Sequence, residues 1–448
     1  MKKILEQQKI YYNKELQEFV YSLECKYKFR DLTNRYHNLV NFSENAETPF
    51  LNWFRYREGF SGKLIKELII DSGAQKDEII LDPFSGSGTT PVVAVLNGYN
   101  GLGIDVNPLS TFIANVKMSK FSYDELCICR NMAKDILNLP SKCADKVDKY
   151  NDIRKYFTDK NYTDLCSLRD YIDTISNPRI RDIFLTAFLC IIESSSNRRR
   201  DGNGLKTVKT KINDVKEYFY MKLLDIVKDL EQSSKGSLGQ GLCITGSAIN
   251  LHDIFMREYS ETNKKVGTII FSPPYPNSFD YFESYKLELV FGGFSKDISG
   301  IKTFRDQAVR SFVGVKSQET CDHYIDLFAD EIEKAIPLKE SETGKKDSRT
   351  RKVPNMIKGY FADMKEAIRQ CGLCLEKGKK VYIVIDQSAY VGVIIPTDLL
   401  LAYISESVGF NVVSITECRK ARTSTQQLKK YPYLKNVLRE SIVELIKK

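Results

Sequence analysis

The chain has 448 residues, 42% of them apolar, and a formal net charge of +9. That is enough to bury a full core, as one large α/β domain with an insertion or as two to three smaller units, and the mild basic excess suits a polyanionic partner. No N-terminal apolar leader and no run of bilayer length is visible, and the eleven cysteines fall at irregular spacings; a membrane span and a secreted disulfide scaffold are excluded in favour of a reduced, cytoplasmic protein.

In chain order, residues 1–46, rich in Tyr, Lys and Glu, read as an N-terminal helical arm. A strand is expected at 78–82 (DEIILD), then the turn PFSGSGTT, an apolar helix over 91–96 and a second strand at 101–105. This is a β-turn-α-β unit. From 121 to 241 the pattern changes to helical periodicity, broken by the polar, glycine-containing stretch SSSNRRRDGNGLKTVKTK. Strand patterns return at 242–248 and 266–272, so the block between is read as an insertion into an α/β sheet. A mixed segment runs to about 355, followed by a helix over 356–377, a strand at 380–386 and a helix over 396–408. Strands at 410–421 and 440–447 close the chain. No ordinary crossover separates them, so they are expected to pair antiparallel.

Three stretches carry chemistry. In LDPFSGSGTT, Gly86 and Gly88 sit at a strand-to-helix turn, where a missing Cβ lets the backbone approach a ligand and the helix N-terminus offers unpaired N–H groups. Asp82 and Asp105 end the two flanking strands, at the sheet edge where doubly wound folds bind ligands; Asp105 is placed to accept from ribose hydroxyls, Asp82 to face a cationic amino group. In FSPPYPNSFDY (271–281) two prolines stop a strand and leave Ser272 and Tyr275 on a stiff elbow. The pairs Cys127/Cys129 and Cys371/Cys374 lack a second pair, and His37, His252 and His323 are far apart, so buried thiols are expected rather than a metal site.

DPFSGSGTT resembles the cofactor motif of the amino-methylating DNA methyltransferases, and SPPY resembles their catalytic motif, seen most often as SPPY in cytosine-N4 enzymes and as DPPY or NPPY in adenine-N6 enzymes. FLNWFRYREGFSGKLI (50–65) looks like the upstream motif that holds the methionine end of S-adenosylmethionine, and GIDVNPLS like the acidic ribose motif. The resemblance covers roughly 47–118, 242–290 and 378–448. It implies a Rossmann-like S-adenosylmethionine-dependent sheet, mostly parallel with an antiparallel last strand. The implied cofactor contacts are Asp82, Pro83, Phe84, Gly86, Gly88, Thr89, Asp105, Phe60 and Ser61. Ser247 stands where the family often has an acid or amide against the adenine.

The elbow suits methyl transfer to an exocyclic amine. Such a nitrogen is a poor nucleophile because its lone pair is delocalised into the ring; acceptors aimed at its protons favour the tetrahedral form. The Ser272 hydroxyl and the Pro273 carbonyl are candidates, with Pro274 stiffening the turn and Tyr275 stacking on a base rotated out of the duplex. No proline-cysteine motif for covalent attack at cytosine C5 is present. Duplex DNA is the expected partner, contacted by Arg198, Arg199, Arg200, Lys206, Lys209 and Lys211, with the basic run 345–352 and the region 290–355 as a second candidate. The expected domains are therefore 1–46, the cofactor part 47–120, the insertion 121–241 as target-recognition region, and the catalytic part 242–448. Cytosine N4 is the favoured target, with a cognate restriction endonuclease as partner; adenine N6 is the alternative, and an RNA or protein-glutamine methyltransferase a more distant one.

Overall fold

The computed structural model describes residues 3–8, 11–56, 59–141, 149–201, 204–210, 212–233, 238–277, 279–314, 322–421 and 425–448. In chain order the strands are β1 (Phe29–Asp31), β2 (Ile79–Asp82), β3 (Asn100–Asp105), β4 (Arg198–Asp201), β5 (Gly204–Thr207), β6 (Gly241–Thr245), β7 (Val266–Phe271), β8 (Leu375–Asp386), β9 (Ser388–Tyr390), β10 (Val393–Ile395), β11 (Phe410–Lys420) and β12 (Arg439–Lys447). Eight of them form one sheet in the order β1-β11-β12-β8-β7-β2-β3-β6. Strands β6, β3, β2, β7 and β8 run parallel, and β12 lies antiparallel between β8 and β11. The sheet is the mostly parallel one expected of a Rossmann-like methyltransferase, with the final pair antiparallel.

Every residue of β2 and β7 is buried, as strands covered on both faces require. Their side chains alternate between two cores: Ile80 and Ile270 face one, Ile79, Leu81, Ile269 and Phe271 the other. Helices Gly62–Ser72, Thr89–Leu96 and Pro108–Met118 fill the first core; Lys14–Lys26, Val353–Cys374 and Thr397–Ser407 fill the second. The local signals are ordinary ones. Ser61 accepts from the Leu64 N–H to open one helix, and Asn107 caps another whose first residue is Pro108.

The insertion is helical, as expected, with helices Tyr123–Leu137, Asp159–Thr174, Pro178–Ser195 and Val215–Ser233 extending the first core. It also contains the β4/β5 hairpin, built from the polar stretch that interrupts its periodicity. The N-terminal 46 residues are not a free-standing arm: β1 pairs with β11 as an eighth strand, and the Tyr12 hydroxyl donates to the Ile394 carbonyl at 2.5 Å. Three strand residues are too few to show a period in sequence.

Phe291 locks the insertion to the catalytic part. It ends the helix Lys286–Phe291 and is fully buried, with its ring centroid 4.7 Å from Tyr150, 5.5 Å from Phe157 and 5.7 Å from Phe188. Truncation there removes an aromatic from a close-packed cluster that cannot collapse onto the gap. Phe291→Ala is expected to cost about 3–5 kcal/mol, read as a lowered midpoint in denaturant unfolding.

Candidate active site

The sheet order reverses at β2. From there the chain proceeds outward through β3 to β6, then returns to place β7 on the other side of β2, making the crevice where open α/β sheets bind ligands. Leu81 pairs with Ile269, so the glycine turn and the double-proline elbow leave neighbouring strand ends on one edge.

Asp105 organises the glycine-turn side of this edge. Its Oδ2 accepts from the Gly86 N–H at 2.8 Å and its Oδ1 from the Asn107 N–H at 2.8 Å, tying the turn after β2 to the end of β3. Gly86 has φ +49°, and a Cβ there would meet the Tyr56 ring at 2.5 Å; Gly88 has φ +90°, and a Cβ would meet Ala114 Cβ at 2.6 Å. The two glycines thus permit a left-handed backbone and close packing of protein groups. From beneath, the buried Lys117 ammonium donates to the Ser87 carbonyl at 2.9 Å, and burial pushes its pKa down to about 8.

A cavity of about 750 Å³, open to solvent, lies against this edge. Of the sequence-predicted residues, Pro83, Phe84, Asp105, Ser247, Ser272 and Pro274 line it. Ser247 donates to the Gln307 carbonyl at 2.9 Å, so its hydroxyl helps hold the segment that closes the cavity. Gly86, Gly88 and Thr89 build the turn and the first turn of the following helix. Pro273 is buried behind the elbow. The Ser272 hydroxyl donates to the Tyr275 hydroxyl at 3.3 Å, which donates to Glu440 Oε1 at 3.4 Å.

Several residues fall elsewhere than expected. Phe60 is 4% exposed and Ser61 fully buried as a helix cap; Tyr56, from the same upstream motif, takes the place on the cavity wall, its ring stacked 5.2 Å from Tyr285. Asp82 is buried and turned to the Phe84 N–H at 2.9 Å, off the cavity wall. The segment 290–355, expected to meet DNA, supplies Val309, Ser311 and Phe312 to the cavity. It is held there by the ion pairs Arg305–Asp280 at 2.8 Å and Arg310–Asp363 at 2.6 Å. Val106, Asn107, Tyr281 and Phe282 also line it, with Gly246, Ala248 and Ala308.

The basic stretch divides. Arg200 is removed from any surface role: its side chain is 3% exposed, paired with Glu193 at 2.7 Å and with Glu288, and donates to the Ser284 carbonyl at 3.1 Å and the Arg55 carbonyl at 3.1 Å. In β4 alternate residues point to opposite faces, and Arg200 takes the inward one. Two buried carboxylates and one guanidinium satisfy each other only in part, and burial leaves the Glu288 carboxyl pushed up to about 7. Arg199 is half-buried and donates to the Glu193 carbonyl at 2.7 Å, while Arg198 lies over the Tyr156 ring at 5.1 Å. Lys206 and Lys209 are exposed, and Lys211 lies outside the described residues.

A family model described as DNA methylase, of the N6/N4 methyltransferase type, matches residues 3–114. The Type II methyltransferase M.BsoBI of Geobacillus stearothermophilus is 28% identical over 90% of this chain and 87% of its own length. The Type II methyltransferase M.AvaI of Nostoc sp. is 27% identical over 92% of this chain and 90% of its own. The Type II methyltransferase M.MjaII of Methanocaldococcus jannaschii is 34% identical over 22% of this chain and 21% of its own. With the glycine turn and the elbow on one sheet edge, these matches support an amino-methylating DNA methyltransferase. S-adenosylmethionine is the methyl donor of this class and of this chain. The cavity fits it: Asp105 keeps lone pairs for ribose hydroxyls, and Phe84, Val106, Val309 and Phe312 give apolar walls for a flat adenine.

The two aspartates carry a pH signature. Burial pushes Asp82 up to about 7 and Asp105 up to about 6. Their folded pKa values exceed that of an exposed aspartate, so above about pH 4 the folded chain holds protons that the unfolded chain has released. The stability this contributes is full below about pH 4 and lost as pH rises towards 7. Asp82→Asn is expected to flatten that loss, its melting temperature gaining on the wild type as pH climbs from about 4 to about 7.

Proposed function

We propose that this chain transfers a methyl group from S-adenosylmethionine to the exocyclic N4 of cytosine in duplex DNA, as the cytoplasmic modification partner of a restriction endonuclease acting on the same site. The observation that carries the reading is that Ser272 and Asp105 open onto one cavity although they end different strands. S-adenosylmethionine supplies an electrophilic methyl group there. Asp105, Phe84, Val106 and Phe312 would hold its nucleoside, and the turn after β2 its amino-acid end.

On the substrate side, Ser272 and the Pro273 carbonyl would be the acceptors for the amine protons; Tyr275, which packs against the second core and does not line the cavity, would stack on a base rotated into the elbow. A base cannot reach the elbow while stacked in a duplex, which is why flipping belongs to the mechanism. The leading serine favours cytosine N4, and the Type II designation of the relatives supports a restriction partner.

The β4/β5 hairpin supports DNA contact beside the site. It adjoins the short helix Tyr281–Ser284 that follows the elbow, and it carries the exposed Lys206, with the exposed Lys209 just past its second strand. Lys206→Ala with Lys209→Ala is expected to weaken DNA binding across all sequences and to reduce the salt slope by about 2. An unchanged slope in a filter-binding salt titration removes the hairpin from the interface.

Digestion of methylated DNA to nucleosides, followed by mass spectrometry, tests the base. N4-methylcytosine is the expected product; N6-methyladenine overturns the assignment to cytosine, and transfer to RNA or protein in place of DNA overturns the substrate class. Ser272→Ala with Tyr275→Ala is expected to abolish transfer while the fold, followed by circular dichroism, is retained.

A further inference from the structure

A hydroxyl group can donate or accept, but activation of an exocyclic amine needs an acceptor. The elbow alone does not decide which role Ser272 takes. Its surroundings do. The Ser272 O–H donates to the Tyr275 hydroxyl at 3.3 Å, and the Tyr275 O–H donates to Glu440 Oε1 at 3.4 Å. A carboxylate is acceptor-only, so the chain of hydroxyls has one polarity, with both protons directed away from the cavity and the Ser272 lone pairs left facing it.

Glu440 is held in place. It is 2% exposed on β12, and its other oxygen is paired with Arg419 Nε on β11, directly across the ladder. An ion-paired carboxylate held between two strands cannot swing away. Both hydrogen bonds to the elbow are long, as such contacts often are before substrate binds, and they are aligned along one line of residues from cavity to core.

We propose that Glu440 is the positioning residue that makes Ser272 an obligate acceptor for the amine, acting through Tyr275. The proposal rests on the reading of Ser272 as the group that faces the target amine. It gives Tyr275 a second task, since its hydroxyl carries the polarity while its ring remains available to the base. It also assigns a function to the antiparallel strand that sits between β8 and β11: that strand brings an acid behind the elbow from 165 residues downstream.

Glu440→Gln keeps the size and a partner for Arg419 but offers an amide donor to Tyr275, which allows the chain to reverse. Initial-rate kinetics with a DNA substrate and labelled S-adenosylmethionine are expected to show kcat lowered by about 10- to 100-fold, with KM for both substrates within about 2-fold. Tyr275→Phe, which keeps the ring and breaks the chain, is expected to show a similar fall. Adding Glu440→Gln to Tyr275→Phe is expected to change kcat no further, because the acid then has nothing to act through.

Additive losses in the double variant, or a fall in melting temperature that accounts for the rate, overturn the proposal in favour of a structural role for the ion pair. So does a Tyr275→Phe enzyme at the wild-type rate, whether or not Glu440→Gln folds. A wild-type chain that methylates no DNA overturns the functional reading and this proposal with it, whereas an active wild type with uncoupled variants overturns the proposal alone.

Discussion

The active site depends on one constraint of the sheet: β2 and β7 are hydrogen-bonded parallel neighbours that end together. Because β2 is the point where strand order reverses, the loops that leave these two strands diverge around an open crevice. The glycine turn and the double-proline elbow are each stiff for local reasons. Left-handed glycines fix the first, and proline rings fix the second. What the pairing adds is their mutual position, held by a ladder rather than by side chains. Asp105 then sets the depth of the turn by binding two backbone amides from different connections.

Around that edge the chain spends buried charge on assembly. Arg200 ties the hairpin of the insertion to Glu193, to Glu288 and to the carbonyls of Arg55 and Ser284, so the upstream motif, the insertion and the helix after the elbow converge on one guanidinium. A bidentate, always-charged group is suited to this, since a lysine could not reach four acceptors in a plane. Removal of one partner from such a cluster leaves buried charge uncompensated, and costs more than the pair contributes. The same hairpin leaves Lys206 outside, so its two faces divide between holding the site together and facing solvent.

The sheet was legible in sequence because its signals are local. Runs such as VGTIIF and the VYIVI of KVYIVID are nearly all apolar, as strands buried on both faces tend to be, and SPPY and GSG are breakers at the ends of such runs. The candidate site residues at the strand ends, Asp105 and Ser272, lie in or beside the same stretches and line one cavity. What stayed hidden is what depends on contacts between distant segments. Tyr56 meets the cavity, whereas Phe60 and Ser61 are buried in the first core and as a helix cap. Val309 and Phe312 belong to a stretch with no period of its own, pinned by Arg305 and Arg310 to acids elsewhere in the chain. Arg200 sits in a run of three arginines that composition alone presents as surface, and only the pleat of β4 separates it from its neighbours. Glu440 has no signature at all, since one acid in a strand acquires meaning only from what the sheet order sets beside it.

The central claim is that a flipped base and the methyl donor meet between Ser272 and Asp105. A crystal structure of the chain with S-adenosylhomocysteine and a duplex carrying its methylation site tests this most directly. The account expects a cytosine rotated out of the helix with its exocyclic nitrogen about 3 Å from the Ser272 oxygen, and the cofactor ribose on the Asp105 carboxylate. A target base still stacked in the duplex, or a cofactor bound away from Asp105, would contradict it.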